Sequence, residues 1–83
     1  MNYAIVGYGR MGREIEQVAA DRGHRLSTIV DPVAEGEGVQ RELCPGELAD
    51  CAVAFEFTGP AAAPANVAAL VEAGIGVVCG TTG

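Results

Sequence analysis

The sequence predicts an α/β fold, a doubly wound parallel sheet of about four strands with helices on both faces. Three observations carry this. Short apolar or β-branched runs alternate with segments of helical period along the chain. The composition is 49 % hydrophobic and 19 % charged, and its bulk is Ala and Val with few aromatics, which suits close-packed layers and not a disordered tail. Finally, the first apolar run passes through three glycines spaced G-x-G-x-x-G, "GYGRMG", directly into a helical pattern.

Taken in order, Tyr3 to Val6 is continuously apolar and stops at Gly7, as a buried strand does. From Met11 the period changes: Met11, Ile15, Val18, Ala19 and Arg22 form one helical stripe, and Gly23 ends it as a C′ residue. Arg25 to Val30 is a second strand, and the proline in Asp31-Pro32 sets Asp31 in extended geometry at its tip. Pro32 to Pro45 reads as a loop with room for one helical turn, and Glu47 to Ala52 as a short link. Val53 to Phe57 is a third strand, broken by Thr58-Gly59-Pro60. Ala61 to Ala73 is helical, with Pro64 in the first turn, Val67, Leu70 and Val71 on one face, and Gly74 as its stop. Ile75 to Cys79 is the fourth strand, before "GTTG". Right-handed crossovers then give a local strand order 2-1-3-4, with a switch point between the first and third strands where ligands bind at the carboxyl ends.

Composition excludes several functions. With 83 residues the chain is at most one small domain. A net charge of −6 and no lysine argue against nucleic acid as a partner. No apolar run reaches the roughly 18 residues of a membrane span, and the start lacks a signal-peptide pattern. A cytoplasmic protein with no membrane partner is the expectation. Cys44, Cys51 and Cys79 have no C-x-x-C spacing and there is one histidine, His24, so no metal site is expected. The cysteines read as packing residues and His24 as a surface residue.

The glycine turn makes specific demands. Gly7 must turn tightly, Gly9 must let the backbone approach a pyrophosphate, and Gly12 must let helix and strand pack closely. The helix N-terminus then offers N–H groups and a positive dipole end to an anion. An acidic residue is required about 20 positions on, at the second strand's end. Asp31 stands there, 19 residues after Gly12, suited to accept hydrogen bonds from ribose hydroxyls. This is the pattern of a Rossmann-like dinucleotide site. The carboxylate disfavours a 2′-phosphate, so NADH is favoured over NADPH, unless Arg10 or Arg13 swings across. No arginine directly follows Asp31. Asp31 also suits a plain turn-initiating Asp-Pro.

Two further segments, "FEFTGP" (residues 55–60) and "VVCGTTG" (residues 77–83), each end a strand on the same edge. Together with "GYGRMGRE" they resemble dihydrodipicolinate reductase, the NAD(P)H-dependent enzyme of bacterial lysine biosynthesis, across essentially the whole chain. The resemblance implies that Gly7, Tyr8, Gly9, Arg10, Met11 and Gly12 surround the pyrophosphate and that Asp31 meets the ribose. It places Phe57 and Thr58 on the path to the nicotinamide, and Gly80, Thr81 and Thr82 at the nicotinamide and substrate. Hydride would pass to 4-hydroxy-tetrahydrodipicolinate, a small-molecule substrate. Thr58 equally suits a helix cap near Pro60, and Glu56 reads as a solvated or hydrogen-bonded structural residue.

The sequence departs from the family in two ways. Many members have a longer first turn, G-x-x-G before R/K-M-G. In the family a second domain follows, with a paired-histidine segment and a lysine that hold substrate and supply a proton, and it builds a homotetramer. Residues 1–83 are therefore expected to be a truncated dinucleotide-binding domain, without catalytic residues and inactive alone. A free-standing NAD(H)-binding module, or the N-terminal domain of another dehydrogenase such as a homoserine dehydrogenase, are the other readings.

Overall fold

A computed structural model describes residues 1–34, 36 and 38–80. Five strands form one parallel sheet: β1 (Asn2–Val6), β2 (Arg25–Val30), β3 (Val39–Gln40), β4 (Val53–Glu56) and β5 (Gly76–Cys79). Their order is β3-β2-β1-β4-β5. Leaving aside the two-residue β3, this is the 2-1-3-4 order read from the sequence. The helices are α1 (Arg10–Asp21) and α2 (Ala63–Glu72), and a 3₁₀ helix spans Pro45–Leu48. β3 lies inside the segment read as a loop, and the 3₁₀ turn begins at its end.

Register puts the strand ends level. Val6 stands beside Val30 of β2 and Glu56 of β4, and Glu56 beside Cys79 of β5. The segments after β1, β2, β4 and β5 thus leave the same edge. One irregularity, between Tyr3 and Ala4, shifts the β1–β2 register.

The strand period of two sorts the core into two layers. Ala4, Val6, Val30, Ala54, Leu70 and Ile75 pack on the α2 side with Leu48 and Cys51. Tyr3, Ile5 and Ala19 pack on the α1 side, with Leu26, Val53 and Phe55 against them. Each helix closes on glycine in the left-handed region, Gly23 at φ 79° and Gly74 at φ 80°. At α1, Gly23 N–H donates to the Ala20 carbonyl at 3.1 Å and His24 N–H to that of Ala19 at 3.0 Å. At α2, Gly74 donates to Val71 at 2.9 Å and Ile75 to Leu70 at 3.0 Å. Both are complete Schellman closures.

The helix stripes need correction. Met11 and Val18 are each 50 % exposed, while Gly12 and Ala19 are the buried residues of α1. The helix docks through its smallest side chains, which bring its axis close and roll the larger ones to the flank. On α2, Leu70 is fully buried and Val71 is 60 % exposed. Of the cysteines only Cys51 packs inside; Cys44 and Cys79 are exposed thiols, and all three are free. His24 is partly exposed.

Candidate functional site

Two clefts open at the strand ends, and they meet at Gly9 and Phe57. The larger, about 540 Å³, is lined by Gly7, Gly9, Asp31, Arg41, Thr58 and Asn66, with Val33, Leu43, Phe57 and Ala62 among the apolar walls. The smaller, about 320 Å³, is lined by Gly9, Arg10, Met11, Gly12, Phe57, Gly59 and Gly80. Residues from the two flanking motifs are thus brought to the glycine turn. Tyr8 lines neither cleft, and Thr81 and Thr82 lie outside the described residues.

Each glycine of the turn has a different surrounding. Gly7 adopts φ +98°, and a Cβ there would stand 2.7 Å from the Phe57 backbone carbon. At Gly12 a Cβ would meet the Gly7 carbonyl oxygen at 2.7 Å and the Ile5 side chain at 3.0 Å. At Gly9 a Cβ would meet no protein atom within 4 Å. The first and last glycines serve packing, and the middle one faces open space. Gly80 is a further close approach, since a Cβ there would run into the Phe57 ring.

Gly9 is the N-cap of α1, and no side chain caps that end among the described residues. Its first N–H groups are therefore available to an anion, with the helix dipole behind them. Arg10 pairs with Glu14 at 3.5 Å on the exposed helix surface. Arg13 lies over the Tyr8 ring at 4.3 Å, and the Tyr8 hydroxyl donates to Glu16. That hydrogen bond, then burial and the Glu16 charge, push the Tyr8 phenol above its usual range against the pull of Arg13.

Asp31 fastens two loops together. Its Oδ2 accepts the Tyr8 N–H at 2.7 Å, and its Oδ1 accepts those of Val33 and Ala34 at 2.8 Å. Both the turn-forming role and the place at the second strand's tip are thus present in one residue. Burial pushes its carboxyl up, but the N–H groups of Ala34, Val33 and Tyr8, with Arg41, outweigh this and hold it below the ordinary value. A carboxylate has about four lone-pair positions, so three protein donors leave capacity for one more. Arg41, which sequence reasoning did not single out, donates to the carbonyls of Ala34 at 2.6 Å and Asp31 at 3.3 Å. It follows the two-residue β3, whose pairing with β2 brings it back beside Asp31.

Glu56 is the other residue whose place the sequence left open. It is fully buried, with hydrogen bonds and not solvent around it. Its Oε1 accepts the Thr58 N–H at 3.1 Å, and its Oε2 accepts the Thr58 hydroxyl at 2.6 Å and the Asn66 amide at 2.9 Å. Thr58 does not cap α2, whose N-cap is Ala62. Among the described residues no cluster of three metal-ligating side chains occurs. No helix among them is long and apolar enough to cross a membrane.

An all-parallel sheet with a glycine turn, an uncapped helix N-terminus and an acidic second strand tip defines a nucleotide-binding domain of the Rossmann-like class. The family described as dihydrodipicolinate reductase, N-terminus, matches residues 1–83. A 4-hydroxy-tetrahydrodipicolinate reductase of Christiangramia forsetii is 37 % identical over 83 residues, covering 100 % of this chain and 32 % of the relative. One from Natronomonas pharaonis is 36 % identical over 87 residues, covering 100 % and 35 %. One from Acinetobacter baumannii is 34 % identical over 90 residues, covering 90 % and 33 %. The chain belongs to the dihydrodipicolinate reductase family and corresponds to its N-terminal domain. It spans about a third of the length of the curated relatives it matches.

Proposed function

We propose that this chain is the NAD(P)H-binding portion of a reductase that passes hydride to 4-hydroxy-tetrahydrodipicolinate in lysine and diaminopimelate biosynthesis. The observation that carries the reading is the pair of clefts joined at Gly9, bounded by Asp31 on one side and Gly80 on the other. A dinucleotide is two nucleosides joined by a pyrophosphate, and it matches that division. Gly9, with Arg10 and Met11 beyond it, takes the pyrophosphate. Asp31 takes the adenosine ribose, with the base in the larger cleft. Phe57 and Gly80, with Thr81 and Thr82 beyond, border the nicotinamide.

Bound nicotinamide supplies the hydride, and the protein supplies placement. The backbone donors at α1 hold the anion, and Phe57 forms a flat apolar divider between the two halves. The substrate clamp and proton donor are assigned to the remainder of such a protein, as is assembly into a homotetramer. Asp31 favours NADH, because its charge opposes a 2′-phosphate. Arg41, beside it, keeps NADPH within reach. The same cleft pair would serve a free-standing NAD(H)-binding module.

The test is Asp31→Ala with NADH and NADPH titrated in parallel. A lost charged hydrogen bond should weaken NADH by about tenfold and narrow the gap to NADPH. Unchanged affinities for both would remove the ribose role.

A further inference from the structure

The glycine turn is soft by its own composition, and it is held from outside. Tyr8 stands between Gly7 and Gly9, and glycine lets a neighbouring peptide plane turn over at small steric cost. A Cβ at Gly9 would meet no protein atom within 4 Å, so no packed wall confines the turn on that side.

The restraint comes from the tip of β2. The Gly7 N–H donates to the Val30 carbonyl at 2.7 Å, and the Tyr8 N–H donates to Asp31 Oδ2, also at 2.7 Å. Two consecutive N–H groups of the turn are thus stitched to the last residue of β2 and the residue after it. The peptide that joins Gly7 to Tyr8 is fixed on both sides. Asp31 holds its N–H, and its carbonyl oxygen lies against Gly12, where a Cβ would stand 2.7 Å away. Gly7 and Asp31 both line the larger cleft. Turned over, the plane would present the Gly7 carbonyl oxygen on the Asp31 side, where its partial negative charge opposes a phosphate. The Asp31 carboxyl lies below its ordinary value and is therefore ionised at neutral pH. It attracts the N–H and repels the carbonyl, so it disfavours the wrong orientation twice.

We infer that Asp31 is a positioning residue for the pyrophosphate turn as well as a ribose partner: it pins the Gly7–Tyr8 peptide with its N–H towards β2 and so preorganises the anion site at Gly9. The inference rests on the dinucleotide reading proposed above. It runs against charge alone. A carboxylate close to a pyrophosphate repels it, so removing that charge should leave anion affinity unchanged or raise it. Losing the pin should lower it, because the turn must then be ordered by the ligand.

The experiment titrates the chain with NADH and with its analogue lacking the 2′- and 3′-hydroxyls of the adenosine ribose, in wild type, D31N and D31S. The analogue has no hydroxyl for Asp31 to meet. What a substitution does to it comes through the turn or through charge, and these have opposite signs. Asn and Ser each keep one oxygen to accept the Val33 and Ala34 N–H groups, in the kind of turn both residues favour. Each lacks the second carboxylate oxygen that holds Tyr8. Analogue binding should weaken by about tenfold in both variants, the scale of one hydrogen bond to a charged group. Unchanged or tighter analogue binding by a folded variant would overturn the inference, and weaker NADH binding beside it would leave the ribose role standing. If circular dichroism shows one variant unfolded, the other carries the test.

Amide hydrogen exchange separates the pin from a general loosening of the loop. The Tyr8 amide should exchange roughly tenfold faster in the variants than in wild type, with the Val33 and Ala34 amides unchanged. Acceleration of all three together would show a melted loop and overturn the positioning role. Binding of neither ligand by folded wild type would overturn the dinucleotide reading itself, and this inference with it.

Discussion

Two strand-to-helix junctions lie side by side at the carboxyl edge of the sheet, and they are built on opposite plans. The junction from β1 to α1 works by leaving side chains out: Gly7 and Gly12 let backbone touch backbone, and Gly9 leaves a surface of bare N–H groups. The junction from β4 to α2 works by burying a carboxyl group: Glu56 sits at zero exposure and gathers Thr58 and Asn66 around it. One presents bare backbone, the other a network of side chains. Chain chemistry at a turn can thus be set by what is omitted as much as by what is placed there.

The largest expected effect breaks the first junction. Gly7→Ala adds a Cβ 2.7 Å from the Phe57 carbon in a left-handed backbone. Left-handed strain and overpacking together should cost about 3 kcal/mol or more, which a small domain cannot spare. Urea melts should show a large fall in midpoint, or no cooperative transition at all. A midpoint within experimental error of wild type would show that the two junctions are not in contact there.

Gly9→Val separates packing from binding within the same turn. Nothing stands within 4 Å of that Cβ, so the sheet should persist with its melt little changed. Dinucleotide binding should disappear, because the side chain fills the space a phosphate needs. A folded variant that still binds would reassign the turn to packing alone.

The smallest effect concerns Asp31, which links the first junction to the loop after β2. Its folded-state carboxyl lies below the ordinary value of 3.8. As pH falls, the unfolded chain therefore takes up this proton first, and the native state loses its advantage. The stabilisation is present above about pH 4 and is lost as pH drops through the lower, folded-state value. The stability difference between wild type and Asp31→Asn, followed by urea melts from pH 6 to pH 3, should shrink over that acid range. A difference that stays constant throughout would mean the three N–H contacts contribute nothing ionic.

Much of this was legible in the sequence because each regular element closes on a residue with one structural use. Gly23 and Gly74 end the helices, and Pro32 and Pro60 follow strand ends, so order and parallel sense could be read off. The three glycines and Asp31 were legible for the same reason. β3 was not, since Val39–Gln40 is too short to show any period and exists only by pairing with Ile29 and Val30. Arg41 was missed with it. The α1 stripe misled because a hydrophobic period marks bulk, whereas this helix docks through Gly12 and Ala19. Glu56 could be placed on a face by alternation, but among its partners Asn66 lies ten residues on, in α2. Only the fold brings them together.

The close approach of Gly7 to both Gly12 and Phe57 has a kinetic meaning. The backbone of one residue is pinned between the start of α1 and the end of β4, so these two edges of the clefts cannot part without unpacking it. On the dinucleotide reading proposed above, the observed capture rate should rise in direct proportion to ligand concentration, with no slow gating phase behind it.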